Sequence, residues 1–523
     1  MVSNCTDDFK VTWKDPADNQ LRWGRDRLHL PRPLPPLSQA YGVGLALPLI
    51  PGARIIFLNG YAFVARPPQG PPPPQIPPGP PPQEGDWEVE TVPKIQEICW
   101  RIRDSDWSRL SAVELADSLD GIFQDAVRAF GNTMDAGRFS IGPMVDFFTF
   151  CERELPPDGL VTAATLIQGF ENESTRSGIV LGELVDLAAS IPAVAEALRA
   201  GRFAGLESVE GGAEFSRKLQ AFLDQFGWRA ESWGLMHVPV WAEDPAPALG
   251  YVARYLADSD SHPKTGMRRA AEERVRARAE ASARLSEEAR PRFEALLAQA
   301  EQLSRLTEGR ALWQLTAAGV LRVPLVALGR KLADAGVMNL PNDIFFLYLD
   351  EVKDVARNPR SMHSQIAGRR ADLAHWEELN APVAVGAGGP PPAPPDPVMQ
   401  AAMRLVLGIG APSTIEGNVV MGSAASRGVI RATARVIRSL AEGSRLKRGD
   451  ILVCPSTSPA WVPLFSIAGG VITDSGGILS HSAVCAREFG IPCVVGAQLA
   501  TTRIPDGATI VLDGTKGTIT IED

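Results

Sequence analysis

The sequence predicts a multidomain protein: a mostly α-helical body with a small N-terminal β part, then a C-terminal α/β domain. Three observations carry this reading. At 523 residues the chain is too long for a single hydrophobic core. From about Glu88 to Trp376 apolar residues recur at helical spacing. Beyond the Pro/Gly-rich stretch Val383–Pro397 (VAVGAGGPPPAPPDP), short Val/Ile-rich runs alternate with glycines instead. The expected division is a body over 1–382, a linker or hinge over 383–410, and a C-terminal domain over 411–523.

Within the body, Arg54–Phe63 (RIIFLNGYAF) holds Asn59-Gly60 between two apolar runs, a hairpin signal. Arg66–Gly85 contains Pro71–Pro74; missing amide donors exclude helix and central strand, so an extended loop is expected. Helical periodicity marks Ala112–Phe130, Phe215–Phe226, Arg268–Arg305 and Leu312–Ala335. In the C-terminal domain the strand candidates are Gly428–Val436, Asp450–Val453, Gly470–Thr473, Cys493–Val495, Thr509–Leu512 and Thr518–Ile521.

Composition narrows the function. Hydrophobic residues make up 45% and charged residues 22%, a globular mixture. A net charge of −9 speaks against nucleic acid as a partner, which demands a basic face. The basic residues of Met267–Arg284 are interleaved with acids, as on a solvated helix. The first twenty residues lack a signal-peptide core, and no apolar run approaches the ~18–20 residues of a membrane span. The best candidate, Ala317–Leu328, is short and interrupted by Arg322. Cysteines at 5, 99, 151, 454, 485 and 493 show neither metal-ligand nor small-disulfide spacing, so free thiols, no metal site and a reducing cytoplasm are expected.

Chemistry concentrates in Gly469–Gly496, GGVITDSGGILSHSAVCAREFGIPCVVG. Val471–Thr473 reads as a buried strand, and Ser475-Gly476-Gly477 as a turn needing a permissive backbone. Ser482–Phe489 reads as a helix stopped by Gly490 and Pro492. His481, preceded by Ser480, therefore sits at a helix N-terminus, where unpaired amides and the positive dipole end stabilise an anionic group on the imidazole. Gly476, Gly477 and Ser482 are the expected phosphate cradle, with the glycines leaving room for substrate; Arg487 supplies a cation if it folds back.

This stretch resembles the mobile phosphohistidine domain of the phosphoenolpyruvate-utilising enzymes, whose motif runs roughly GG-x-[ST]-[SC]-H-[AS]-A-x-x-[AG]-R-E-x-G-[IK]-P-x-V-V-G. Gly476, Gly477, Ser480, His481, Ala483, Arg487, Glu488, Gly490, Pro492 and Gly496 fill its fixed positions, and Leu479 departs from the polar residue usual there. Ser423–Gly428, Ser456–Pro459, Asp506-Gly507 and Asp513-Gly514 match the flanks. The resemblance implies a swivelling domain that carries a phosphoryl group on His481.

The body resembles the substrate-binding part of the rifampicin phosphotransferase group. Trp23-x-x-Asp26-x-x-His29-x-Pro31-x-Pro33, Phe226–Pro245 (FGWRAESWGLMHVPVWAEDP) and Leu340–Glu351 (LPNDIFFLYLDE) occur in that group's order. Trp228 stands where related proteins often have histidine, so another base or a more acidic acceptor is needed; a phenol, with a pKa near 10, is one. His237 is the candidate base, or else a core histidine. Trp228, Trp233 and Trp241 line an aromatic pocket or pack in the core, and Arg229 grips a phosphoryl oxygen or pairs with Glu231. His29 joins these as a substrate-binding candidate.

The sequence holds no Walker loop, no dinucleotide fingerprint and no stretch resembling the ATP-grasp domain of longer relatives. The resemblance to the His-carrying subunit of phenylphosphate synthase-type systems implies that ATP and Mg²⁺ act through a separate ATP-grasp subunit, with a small hydroxylated aromatic as acceptor. Two alternatives stay open: an isomerase or lyase using His481 as general acid/base, and a non-catalytic binding or regulatory protein.

Overall fold

A computed structural model describes residues 9–27, 29–49, 53–65, 87–170, 173–257, 263–379, 381–389, 397–410 and 414–522. The Pro-rich loop over 66–85 and residues 390–396 of the interdomain stretch lie outside them.

Near the N-terminus, β1 (Trp23–Arg25), β2 (Arg54–Leu58) and β3 (Tyr61–Ala65) form an antiparallel sheet. The β2–β3 turn follows from Asn59-Gly60: both adopt positive φ, 47° and 71°, the mirror-image turn that matches strand twist. The fourth strand, β4 (Ala384–Val385), comes from the interdomain stretch and pairs with Trp23-Gly24. The Val383–Pro397 tether is thus anchored to the body at its start, and its far end enters a helix at Pro397–Ala402.

The helical body is built around Ala112–Glu154, which runs on 24 residues past Phe130, and Arg290–Val320, which packs along it. Ser111 and Glu114 form a reciprocal capping box that starts the first of these. Two expected helices are each broken. Arg268–Arg305 divides into Pro263–Arg284 and Arg290–Val320, because Ser286 accepts from the Ala289 amide and Pro291 opens a new helix. Leu312–Ala335 breaks at Leu321, with Pro324 near the start of Arg322–Asp334. The apolar stripe runs through both breaks, so periodicity could not reveal them. By length and composition Arg290–Asp334 reaches that of a membrane span, yet 78% of its apolar window is buried in the protein.

Arg322, which interrupts that apolar run, is itself almost fully buried. Its guanidinium donates to the Met236 carbonyl (2.5 Å), to Asn342 Oδ1 (3.1 Å) and to Glu243, so it ties Phe226–Pro245 to Leu340–Glu351. R322A should cost about 3–5 kcal/mol of unfolding free energy in a urea titration, because Glu243 and the Met236 carbonyl lose a buried cation. A loss below 1 kcal/mol would mean that the two segments are held without it.

The C-terminal domain is a nine-stranded sheet of β5 (Ile415–Glu416), β6 (Val419–Met421), β7 (Ser423–Ser426), β8 (Val429–Val436), β9 (Ile451–Cys454), β10 (Gly470–Thr473), β11 (Cys493–Val495), β12 (Thr509–Asp513) and β13 (Thr518–Ile521). Their order is β5-β6-β13-β12-β8-β9-β10-β11-β7. The central strands β8-β9-β10-β11 are parallel and the flanks antiparallel. The helix His481–Glu488 follows β10, so His481 lies beyond the carboxyl end of a parallel strand, where α/β sheets place their ligands.

The two units are docked. Arg427 pairs with Asp158 (2.8 Å) and Thr162, Glu488 accepts from the Gly169 amide (2.8 Å), and Tyr255 donates to the Pro463 carbonyl (3.0 Å). Ser475, two residues before Gly477, donates to the Arg27 carbonyl (2.9 Å), which brings the N-terminal motif of the body against the histidine loop.

Candidate active site

His481 is the first residue of its helix, half-buried, with Ser480 as N-cap. The amides of a first helical turn have no intrahelical acceptor, so an anion on the ring would meet ready donors. Ser480 Oγ is buried and lacks a hydrogen-bond partner. Ser482 is occupied: its hydroxyl bonds Thr457 Oγ1 (2.8 Å) and accepts from the Thr457 amide, which fastens the Ser456–Pro459 turn to the helix start. One turn on, Cys485 Sγ lies 3.3 Å from His481 Nε2 and 3.7 Å from Nδ1, a neighbour that sequence reading missed although i,i+4 spacing puts it on the same face.

Several expectations need correction. Arg487 does not fold back to the imidazole. It is buried, and its guanidinium holds the Ala425 (3.0 Å) and Ile478 (2.9 Å) carbonyls, fixing the loop that presents the histidine. Nor do Gly476 and Gly477 leave room for substrate. A Cβ on Gly477 would lie 2.2 Å from the Leu405 carbonyl oxygen, and Gly408 packs against the Gly476 carbonyl. The Gly477 and Leu479 amides donate to the Val406 and Leu405 carbonyls, so the glycines admit the end of the linker.

The three tryptophans do not converge. Trp241 sits in the core against Phe222 and Tyr251, and Trp228 packs on the core with its carbonyl against Gly319. Arg229 is buried and donates to the Phe226 carbonyl (3.0 Å), while Glu231 pairs with Arg32 (3.5 Å) instead. His237 is poorly suited as a base. Burial, and then Arg32, Arg322 and Arg370, push its pKa down to about 3, so it stays neutral and weakly basic.

Trp233 does face a functional candidate. It stacks on His29 at 4.2 Å and meets Phe130 edge-on. Asp26 Oδ2 lies 3.2 Å from His29 Nδ1, and Oδ1 accepts from the His29 amide (2.9 Å). A carboxylate only accepts, so Nδ1 carries the proton and Nε2 is left as an acceptor, the arrangement of an oriented general base. The i,i+3 spacing of Asp26 and His29 was visible in the sequence; the pairing was not.

A cavity of about 620 Å³ lies where the N-terminal segment meets the C-terminal domain. Asp474, on its wall, has both carboxylate oxygens held by Thr501, yet burial raises its pKa to about 6. A carboxyl whose folded pKa exceeds its unfolded value stabilises below the unfolded pKa, and that stability is lost as pH rises through the folded one. D474N should therefore gain on the parent between pH 4 and 7, by up to about 3 kcal/mol for a two-unit shift. A stability difference that stays flat over this range would contradict the assignment.

Comparison with known proteins agrees with this geometry. Residues 446–517 match the PEP-utilising enzyme mobile domain. The C-terminal unit thus carries the region similar to the phosphoenolpyruvate-utiliser mobile domain. Residues 140–308, in the helical body, match the rifampicin phosphotransferase fourth domain. A rifampicin phosphotransferase of Streptomyces sviceus is 29% identical over 67% of this chain and 40% of its own length. An uncharacterized phosphotransferase of Bacillus subtilis is 30% identical over 60% of this chain and 37% of its own. A chondramide synthase of Chondromyces crocatus is 28% identical over 98% of this chain, which corresponds to 14% of that protein. The chain thus spans less than half the length of these relatives.

Proposed function

We propose that this protein is a phosphotransferase component in which His481 accepts a phosphoryl group and passes it to a hydroxyl of a small aromatic acceptor. The observation that carries this is a half-buried histidine at a helix N-terminus of a mobile domain, docked on a body related to rifampicin phosphotransferases. In the first half-reaction an N–P bond forms at a ring nitrogen of His481 as the donor's P–O bond breaks. In the second, the acceptor oxygen attacks phosphorus, the N–P bond breaks, and the hydroxyl proton passes to His29 Nε2, oriented by Asp26. The face of Trp233 beside His29 favours an aromatic acceptor, and a phenol releases its proton more readily than an aliphatic alcohol.

Among the described residues no group of three or more His, Cys, Asp or Glu side chains is placed to hold a metal ion. On the resemblance to two-component systems, we take ATP and Mg²⁺ to act through a nucleotide-binding unit, a separate ATP-grasp subunit. The five described cysteines are free and buried, in keeping with the reducing cytoplasm as its location. The test is to incubate the chain with such a subunit, ATP and Mg²⁺, and then with phenols. Mass spectrometry should find one acid-labile, base-stable phosphohistidine that is discharged by the phenol. Turnover of an aromatic substrate by the chain alone, without nucleotide, would overturn the proposal in favour of an isomerase or lyase.

A further inference from the structure

The cavity at the domain seam does not include His481 or any of the tryptophans among its walls. Its walls carry four arginines and four acids, and what stands out is that Arg25 and Arg27 have no carboxylate partner in direct contact. Arg25 and Arg27 project from the N-terminal segment and Arg438 from the C-terminal domain. Among the described residues no carboxylate comes within ion-pair distance of Arg25 or Arg27. Arg25 has one donor on the Ala381 carbonyl (2.6 Å), and its Nε is sealed from solvent with no hydrogen-bond partner. Arg27 reaches the Gln498 carbonyl (3.2 Å), and Arg438 the Thr501 carbonyl (3.1 Å).

The acids nearby are mostly committed. Glu377 holds Arg32 (2.5 Å), Glu442 holds Arg445 (2.5 Å), and Asp474 is bonded to Thr501 and acts on Arg25 and Arg27 only at longer range. Glu378 is exposed to solvent. The guanidinium of Arg27 also disfavours the charge on Arg25. Burial first, and Arg27 as a further cause, pull the Arg25 pKa down to about 10, and burial lowers that of Arg27. A bound anion would relieve both costs.

We propose that this cavity binds an oxyanion, a phosphate or carboxylate group, gripped by Arg25 and Arg27 from one side and by Arg438 from the other. Guanidinium forks match the planar or tetrahedral oxygen arrays of such groups. The volume accommodates a molecule larger than free phosphate. Because its walls come from both units, the ligand binds the docked arrangement and shifts the population towards it. The site is distinct from His481 and does not require phosphotransfer to occur there.

The test is a melting titration of the full chain with inorganic phosphate, phenyl phosphate and benzoate, in the parent, R25Q, R27Q and R438Q forms. At least one probe should raise the melting temperature saturably, and the dissociation constant should weaken roughly tenfold or more for each of Arg25 and Arg27 removed. Equal binding of both phosphates identifies a free-phosphate site. Preference for phenyl phosphate identifies a monoester site, and preference for benzoate a carboxylate site; each supports the proposal. R438Q changes an exposed side chain, so it separates loss of binding from loss of folding should R25Q unfold. H481A should bind like the parent. No saturable shift with any probe, shifts in R27Q and R438Q equal to those of the parent, or loss of binding in H481A would each overturn the proposal.

Discussion

Replacing His481 with alanine is expected to abolish both phosphate labelling of the chain and product formation, by roughly 10⁴–10⁶-fold in turnover, the scale seen when a covalent nucleophile is deleted. Ser480, Thr457 and Ser482 are hydroxyl groups that an adjacent base would have to activate, and Ser482 and Thr457 bond each other. Cys485 is buried. No neighbour is therefore equipped to replace the imidazole as a nitrogen nucleophile. The side chain is half-buried at a helix start, so H481A should melt within a few degrees of the parent, and H481N should do the same with a similar side-chain size. Labelling and turnover are measured with the nucleotide-binding subunit present. Product formation at the parental rate in either variant would remove His481 from the reaction.

The histidine was legible because its neighbours have local reasons to be what they are. A buried strand, a turn at positive φ on Gly476 and a helix ended at Gly490 are short-range features, and the sequence displays them in order. What stayed hidden depends on residues far apart in the chain. Nothing near Gly477 announces that the Leu405 carbonyl will occupy the space a Cβ would need, 72 positions away. Arg487 fills a motif position whose spacing suits a phosphate ligand equally well, and only its carbonyl partners Ala425 and Ile478 show it to be internal. The tryptophans between 228 and 241 cluster in sequence, but the chain there turns tightly, so Trp241 meets Phe222 while Trp233 meets His29. The seam arginines come from segments more than 400 residues apart, and their shared cavity exists only once the domains dock.

The expected effect of D26N separates the two half-reactions. Asp26 accepts from Nδ1 of His29 and from the His29 amide, so the ring is held in one tautomer and one orientation. Asparagine is nearly the same size, but an amide can turn its NH₂ towards Nδ1; the ring then carries its proton on Nε2 and ceases to be a base at the acceptor. The equivalent change in serine proteases lowers turnover by about 10⁴, and a more acidic phenol should soften this to between roughly 10² and 10⁴. Charging of His481 by the donor subunit does not use His29, so phosphohistidine should form at the parental rate and accumulate. Among a series of phenols the defect should shrink as acceptor acidity rises, because an already ionised oxygen needs no base. A loss of charging equal to the loss of transfer would show that Asp26 merely supports the seam through which Ser475 contacts Arg27. Transfer at the parental rate would exclude His29 as the base.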